Sequence, residues 1–288
     1  MNKNDELKIV KSLSGADKSR IAVSEDGWTS RVYIAHGGEF VFKFPRSEKH
    51  RDECRHEAKM VELISKYKFD VSVPKLYRAD EDGAYFGYFG VSGVPLSEVI
   101  TTLSDSQKED IGRQLGVFLR QLHGITEVGE LELQTPQAQV RECSEIYQKG
   151  RDKLCGYFSE AEMGKLDEFF SDEVPRCMNG IGDTVFSHGD LGGNNILIDG
   201  GGRVGVIDFG DAGLYDTTQD FRGIEDEVVL SAMTAAYGAS CKQAAGEILS
   251  RADAAAMSNM IDVLCLIYYI DKRKAEVDGL VSRIKERM

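Results

Sequence analysis

Three side chains in one stretch of this chain have the types and spacing for phosphoryl chemistry. The stretch runs from Val185 to Phe221, VFSHGDLGGNNILIDGGGRVGVIDFGDAGLYDTTQDF, and the residues are Asp190, Asn195 and Asp208. The apolar pair Val185-Phe186 predicts a strand that delivers His188-Gly189-Asp190 into a glycine-rich loop ending at Asn195. Ile196 to Ile198 and Val204 to Ile207 predict two short strands, joined by the turn Asp199-Gly200-Gly201-Gly202. Strands of similar length return the chain to the end where it entered, so Asp208 at the exit meets Asp190 and Asn195 at the entrance. A carboxylate at Asp190 can orient an attacking hydroxyl and accept its proton. Asn195 offers a neutral oxygen and Asp208 a charged one, a pair suited to hard Mg²⁺. His188 reads as a packing and hydrogen-bonding residue that fixes the loop.

A second group lies far upstream. In the strand EFVFKFP, Lys43 alternates with Phe40, Phe42 and Phe44 and so points to the other face. Glu57 falls fourteen residues later, early in the following helix, where it can reach back as an ion pair. Such a pair holds an ammonium against nucleotide phosphates. Glu53 and Glu62 are competing carboxylates on the same helix. Between the first two strands, Asp26-Gly27-Trp28-Thr29-Ser30 can cover phosphates. Gly27 lets the backbone turn, and Thr29 and Ser30 offer N–H and hydroxyl donors. The chain has no G-x-G-x-x-G and no GxxxxGK[ST], which argues against a P-loop nucleotidase.

These groups need positioning elements. Arg20–Ser24, Ser30–Ala35, Glu39–Phe44, Pro74–Ala79 and Ala84–Gly90 predict five antiparallel strands. A helix over roughly 50–66 follows the third of them. Gly93-Val94-Pro95-Leu96 breaks this pattern, and the rest is mostly helical. Ser106 to Glu109 reads as a capping box for a helix through His123, with Ile111, Leu115, Phe118, Leu119 and Leu122 as its buried stripe. Further helices are predicted over 4–13, 137–155, 159–172, 219–237, 241–251 and 254–286.

Composition narrows the function classes. With 288 residues, 42% of them apolar, the chain can bury a sizeable core. No apolar run approaches the length of about 18 residues of a membrane span. The N-terminus MNKNDELKIVKSLSG has no apolar signal region. Six scattered cysteines without a CxxC point to free thiols in a reducing cytoplasm rather than to disulfides or zinc. A net charge of −13 argues against a nucleic-acid partner. That charge is uneven. Residues 1–92 hold 16 basic and 15 acidic side chains, and residues 93–288 hold 19 and 33. An acidic cleft in the second part would attract a cationic small molecule.

The segments HGDLGGNNILID, VGVIDFGDAG and DTTQDF resemble the aminoglycoside phosphotransferase family, kin of choline and protein kinases. The resemblance spans roughly residues 20–230 and includes VFKFP, Glu57, FGYFGVSGVPL and LRQLHGI. VFKFP, GVPL and IDFGDAG are most similar to the 2''-phosphotransferases. SHGDLGGNNI with DGWTSRVY is also similar to the 3'-phosphotransferases.

The resemblance implies a bilobal, protein-kinase-like α+β fold. Residues 1–92 would form a nucleotide-binding lobe with a five-stranded antiparallel sheet and one main helix. Residues 93–288 would form a mostly helical lobe with the catalytic hairpin and the substrate site. It implies Asp190 as the catalytic aspartate, Asn195 and Asp208 as metal ligands, and Lys43 with Glu57 as the phosphate-anchoring pair. The linker Tyr88, Phe89, Gly90 and Val91 would hydrogen-bond the purine base through its backbone. Aminoglycosides are polycations, which fits the acidic second part; Asp220, Glu225, Asp226, Glu227, Tyr268, Tyr269 and Asp271 are the candidate contacts, the alternatives being Asp220 as a structural residue that hydrogen-bonds the HGD loop backbone, Glu225 to Glu227 as a solvated helix face, and Tyr268 and Tyr269 as half-buried core. The expected enzyme uses Mg²⁺ and ATP or GTP to phosphorylate an aminoglycoside hydroxyl, giving antibiotic resistance, in the cytoplasm and with no protein partner, nucleic acid or membrane involved. The alternatives are a kinase of choline, a macrolide or an amino sugar, and a non-catalytic nucleotide-binding protein. One departure is Gly192-Gly193-Asn194, where the family often has Pro or Asp inside the loop.

Overall fold

β-branched and aromatic residues alternating in register build the first sheet. Strands β1 (Ile21–Ser24), β2 (Ser30–Ala35), β3 (Phe40–Pro45), β4 (Lys75–Ala79) and β5 (Phe86–Phe89) are all antiparallel, in the order β1-β2-β3-β5-β4. The structure is a computed structural model and describes residues 1–25, 27, 29–129, 131–179, 184–238, 251–271 and 274–288. Helix α1 (Lys3–Ser14) is capped by the Asn2 side chain and stopped by Gly15 at φ 69°, a left-handed value that favours glycine. Its Val10 packs under Tyr33, Phe42 and Phe44 of the sheet. Helix α2 (Arg51–Ile64) turns Cys54, Ala58 and Val61 onto Phe86 and Tyr88 on the opposite face.

The chain forms two compact units. The first comprises Met1–Glu132, Phe186–Gly213 and Gln219–Lys242, and it contains the five-stranded sheet. Within it, β6 (Val94–Pro95) pairs with β8 (Ile196–Ile198), and β8 with β9 (Val204–Val206). A single turn, α3 (Leu96–Val99), follows β6 and leads to the long helix α4 (Asp105–His123). Helix α8 (Glu227–Tyr237) packs along α4 at backbone distance: a Cβ on Gly112 would lie 2.3 Å from the Val229 carbonyl, and one on Gly116 would lie 2.2 Å from that of Met233. The apolar stripe expected on α4 is buried throughout.

The second unit comprises Leu133–Val185, Leu214–Thr218 and Gln243–Met288. Its helices are α5 (Pro136–Leu154), α6 (Glu160–Glu168), α7 (Val174–Asn179), α9 (Arg251–Tyr269) and α10 (Lys274–Arg287). Tyr147 and Phe170 stack with ring centroids 4.1 Å apart at its centre, and Arg151 holds Asp167 with two bonds of 2.7 and 2.6 Å. Strands β7 (Thr184–Ser187) and β10 (Gly213–Asp216) carry the chain between the units.

Several sequence expectations shift. The cap of α4 is Ser104 with Gln107, not Ser106 with Glu109; the earlier S-x-x-Q closes both reciprocal bonds, so the helix starts two residues sooner. The expected helix 219–237 is instead a 3₁₀ turn at Gln219–Phe221, followed by a turn at Arg222 and Gly223 and a short irregular stretch up to α8. The break has two causes. Gly223 lies so close to Leu191 that a Cβ would meet its carbonyl at 2.3 Å, and the Asp226 carboxylate caps α8 by accepting from the N–H groups of Val228 and Val229. The helix expected at 159–172 runs on through a π turn at Phe169–Glu173 into α7. The 254–286 helix is two helices, and the one expected at 241–251 lies outside the described residues except for Arg251. Among the described residues, no helix is long and apolar enough to cross a membrane.

Candidate functional site

The first unit alone brings together Lys43, Glu57, Asp190, Asn195 and Asp208. On β3, Lys43 lies between Val32 of β2 and Phe86 of β5. Its Nζ donates to Glu57 Oε1 at 2.6 Å and to Asp208 Oδ1 at 3.0 Å, across 165 residues of sequence. Glu53 and Glu62, the competing carboxylates, are engaged by His50 and Lys66 instead. Burial works against the Lys43 charge, but the negative charges of Glu57 and Asp208 outweigh it and hold the ammonium well above the ordinary lysine range. Burial pushes Glu57 up to about 7, with Asp208 adding and Lys43 opposing. At Asp208 burial also pushes upward, yet Lys43 prevails and keeps the carboxyl below its usual range. One cation thus serves two carboxylates.

Asp208 has a left-handed backbone, φ 67° and ψ 69°. Aspartate tolerates this conformation better than branched residues do. The kink follows directly on β9, whose register with β8 (Ile196 opposite Val206) puts Asn195 beside Ile207. There the Ile207 N–H donates to the Asn195 carbonyl at 3.0 Å. The intervening turn is ordered by Asp199, whose Oδ1 accepts from the N–H groups of Gly201 and Arg203, while only Gly202 needs a positive φ.

The loop from His188 to Asn195 is held from two sides. Asp220, fully buried, accepts from His188 N–H at 2.9 Å and Gly189 N–H at 2.9 Å. Gln219 donates to the Gly189 carbonyl at 2.9 Å. The His188 ring, also fully buried, lies on Phe209 and places Nε2 2.9 Å from the Ile207 carbonyl. Asp190 itself is exposed. Its Oδ2 and its carbonyl both accept from the Asn195 carboxamide, at 2.9 and 2.8 Å. The protein mass around Asp190 raises its carboxyl above the ordinary value; His188 and the Asn195 bond pull it down, and Asp208 and Asp220 push it further up. An exposed carboxylate on a fixed loop can receive a hydroxyl.

The donor set fits a divalent cation. Both bonds of the Asn195 side chain use its NH₂ group, which leaves the carboxamide oxygen for a ligand role. Asp208 contributes a carboxylate whose side chain is half exposed. Among the described residues no three His, Cys, Asp or Glu side chains form a protein-only metal cage. Mg²⁺ held together with phosphate oxygens and water does not need one.

The remaining candidates divide. Ser30 is buried at the start of β2 opposite Pro45, and Gly27 and Thr29 are half-buried in the loop before it. The Arg46 guanidinium, which sequence reading missed, donates to the Gly27 carbonyl at 2.7 Å. Asp26 and Trp28 lie outside the described residues. In the linker, the Tyr88 side chain is buried in the core against α2, and Tyr88 and Phe89 belong to the β3–β5–β4 ladder. The Gly90 N–H donates to the Glu39 carbonyl at 3.0 Å, and a Cβ there would lie 1.9 Å from the Gly38 carbonyl. Val91 is the linker residue past the end of the sheet.

Two of the residues grouped as substrate contacts are occupied otherwise. Asp220 has no exposed surface and holds the loop backbone, so it does not reach a substrate. Asp226 caps α8 and pairs with Lys108 at 2.7 Å. Glu225 and Glu227 are exposed. In the second unit, Tyr268 and Tyr269 are half-buried and Asp271 pairs with Lys153. His123 was missed as a supporting residue. The helix-period reading placed it at the end of a buried stripe, and a buried histidine beside Leu122 was the available signal.

A family model described as the phosphotransferase enzyme family matches residues 20–255. Among solved structures, the chain is similar to an aminoglycoside 2''-phosphotransferase in complex with GDP and kanamycin, with 17% identity and a TM-score of 0.77 over 99% of this chain and 98% of that one. It is similar to another in complex with gentamicin, with 15% identity and a TM-score of 0.75 over 99% and 97%. A macrolide 2'-phosphotransferase from Brachybacterium faecium matches with 19% identity and a TM-score of 0.64 over 97% and 98%. At these identities the likeness is one of fold, the kinase-like α+β fold with its antiparallel five-stranded sheet. With the family model spanning most of its length, the chain belongs to the phosphotransferase enzyme family, as a small-molecule kinase.

Proposed function

We propose that the protein transfers the γ-phosphoryl group of ATP or GTP to a hydroxyl of an aminoglycoside, which would make its bearer resistant to the drug. The observation that carries this reading is the convergence of Lys43, Glu57 and Asp208, at 2.6 and 3.0 Å, in the unit that also presents an exposed Asp190 bonded to Asn195. Lys43, held by Glu57, lies against the nucleotide phosphates. Asn195 and Asp208 would hold Mg²⁺, which when bound would offset charge on the phosphate oxygens. Asp190 accepts a hydrogen bond from the acceptor hydroxyl and aligns it for in-line attack. In a loose phosphoryl transition state this orientation matters more than early proton removal. As the new O–P bond forms, the bond from the γ-phosphorus to the bridging oxygen breaks, the nucleoside diphosphate leaves, and the proton ends on Asp190.

In this reading residues 1–92 serve the nucleotide. Gly27, Thr29 and Ser30 cover the phosphates, and the linker near Val91 meets the base. Residues 93–288 serve the acceptor, with Glu225 and Glu227 as carboxylates for its ammonium groups. The bias of 33 acidic to 19 basic side chains in that part supports a polycationic acceptor. The test is a coupled assay of ATP or GTP consumption with kanamycin, gentamicin and streptomycin, set beside a macrolide and choline. Stimulation by an aminoglycoside with matching phosphorylated product is expected. Stimulation by choline or the macrolide alone would reassign the acceptor, and consumption unaffected by any of them would overturn the reading.

A further inference from the structure

The two halves of the loop from His188 to Asn195 are supported differently. The first half is tied down by buried groups, Asp220 and His188. The second half contains Gly192 and Gly193, which have no side chains with which to anchor it. Behind it lies a cavity of about 420 Å³, lined by Ile100, Lys108, Ile224 and Val229 among others, with Gly193 and Asn194 forming part of its wall. Packed side chains therefore do not brace this half.

A different contact does. Ser97, the second residue of α3, donates its backbone N–H to the Gly193 carbonyl at 3.1 Å and its hydroxyl to Asn194 Oδ1 at 2.6 Å. The two chains touch closely: a Cβ on Gly193 would lie 3.2 Å from Ser97 N and 3.3 Å from its Cβ. The contact follows on an antiparallel pairing that ends at Pro95. Val94 lies opposite Ile198 and Pro95 opposite Leu197, so the stretch from Val94 to Ser97 runs along the chain from Ile198 back to Gly193. Asn195 is the next residue, and its carboxamide makes both bonds that fix Asp190.

We infer that Ser97 is a positioning residue for the phosphoryl transfer. It clasps Gly193-Asn194 from α3 and, through Asn195, sets the orientation of the Asp190 carboxylate. The glycine-containing second half of the loop is braced by a residue outside the loop. The inference rests on the proposed role of Asp190, and its test includes a measurement that does not require turnover.

The variants are Ser97→Ala, Ser97→Thr, Asn194→Ala and the double variant S97A/N194A, each as the full chain with thermal unfolding as a folding control. In hydrogen exchange, S97A should exchange the amides of Gly193 to Asn195 several-fold faster than wild type, with β3 and α4 unchanged, and S97T should restore protection. In kinetics with the best aminoglycoside of the panel, S97A should lower kcat about fivefold, the loss expected for one hydrogen bond, with KM for the triphosphate near wild type. N194A should do the same, and the double variant should be no worse than either single one, because the two side chains act as one contact. Loop exchange equal to wild type in S97A overturns the clasp, whatever the activity. Additive losses in the double variant also overturn it, as does a rise in KM without a fall in kcat. If wild type turns over none of the panel, the acceptor reading fails separately, and the exchange measurement still decides the clasp.

Discussion

His123 Nε2 lies 3.1 Å from Asp220 Oδ2, both side chains buried, so one helix end reaches the carboxylate that holds the His188-Gly189 backbone. Burial pushes the Asp220 carboxyl up, but the His123 bond and charge, His188 and the backbone donor outweigh it and hold the group below its usual range. The Asp220 carboxylate can only accept, so His123 Nε2–H donates to it, and Tyr237 OH lies 2.8 Å from His123 Nδ1. An amide in place of this carboxylate cannot accept from all three N–H groups. Asp220→Asn is expected to lose about 3 kcal/mol of stability, as breaking a buried charged network does. Urea unfolding followed by circular dichroism measures it; a loss below about 1 kcal/mol, the worth of one ordinary hydrogen bond, would show that the loop does not depend on this carboxylate.

Lys43 serves two carboxylates and Glu57 serves one cation, so their removal is unequal. Lys43→Met leaves Glu57 and Asp208 facing each other without a cation. Glu57→Gln leaves Lys43 its bond to Asp208. K43M is expected to destabilise by about 3 kcal/mol and E57Q by less than half of that. Both should weaken triphosphate binding, K43M by at least tenfold. Calorimetric titration with ATP and GTP, run beside urea unfolding, checks the ranking, and equal losses for the two variants would contradict it.

The Asp226–Lys108 pair carries a pH signature. The Lys108 bond is the largest influence on Asp226; burial opposes it and the α8 backbone donors assist, leaving the carboxyl below its usual range. A carboxyl depressed in the native state stabilises above its unfolded pKa of about 3.9, and that contribution fades as the pH falls through the native value. Asp226→Asn keeps a competent N-cap and removes only the charge. Wild type should therefore exceed D226N in unfolding free energy at pH 7, and the two curves should converge as the pH falls below the native value. Parallel curves across that range would show that the ion pair contributes nothing.

Gly116→Ala tests the close approach of α4 and α8. Alanine favours a helix over glycine by about 1 kcal/mol. Its Cβ, however, would lie 2.2 Å from the Met233 carbonyl and 2.8 Å from the Ala236 Cβ, and a helix backbone cannot yield as a side chain can. Net destabilisation of about 1–2 kcal/mol is expected, read from the urea midpoint. A stabilised G116A would mean that the helices are further apart than the structure has them.

Periodicity made the sheet and the α4 stripe legible, because each strand alternates and each buried helix position recurs at helical spacing. The hairpin was legible through its turn, and the Lys43–Glu57 contact through the reach of a helix that follows its strand. What escaped was decided by competition between equivalent local signals or by contacts distant in sequence. Ser104 and Ser106 both begin an S-x-x-polar pattern, and only reciprocal bonding selects Ser104. Asp220 and Asp226 sit among acidic neighbours that look alike in sequence; one is buried under the loop and the other caps a helix, and the partners His188 and Lys108 are 32 and 118 residues away. The same holds for His123 and Ser97, whose roles come from residues 97 positions away in each case.

The account turns on Asp190 as the group that aligns the acceptor, and the direct measurement compares phosphoryl transfer with nucleotide binding in Asp190→Ala. The variant is supplied with ATP or GTP, Mg²⁺ and the best aminoglycoside of the panel, and phosphorylated product is followed by mass spectrometry while calorimetry measures triphosphate affinity. The expected result is a fall in kcat of at least about a hundredfold, the lower end of what a positioned general base contributes, with triphosphate affinity within about threefold of wild type. Transfer near the wild-type rate in D190A would contradict the account.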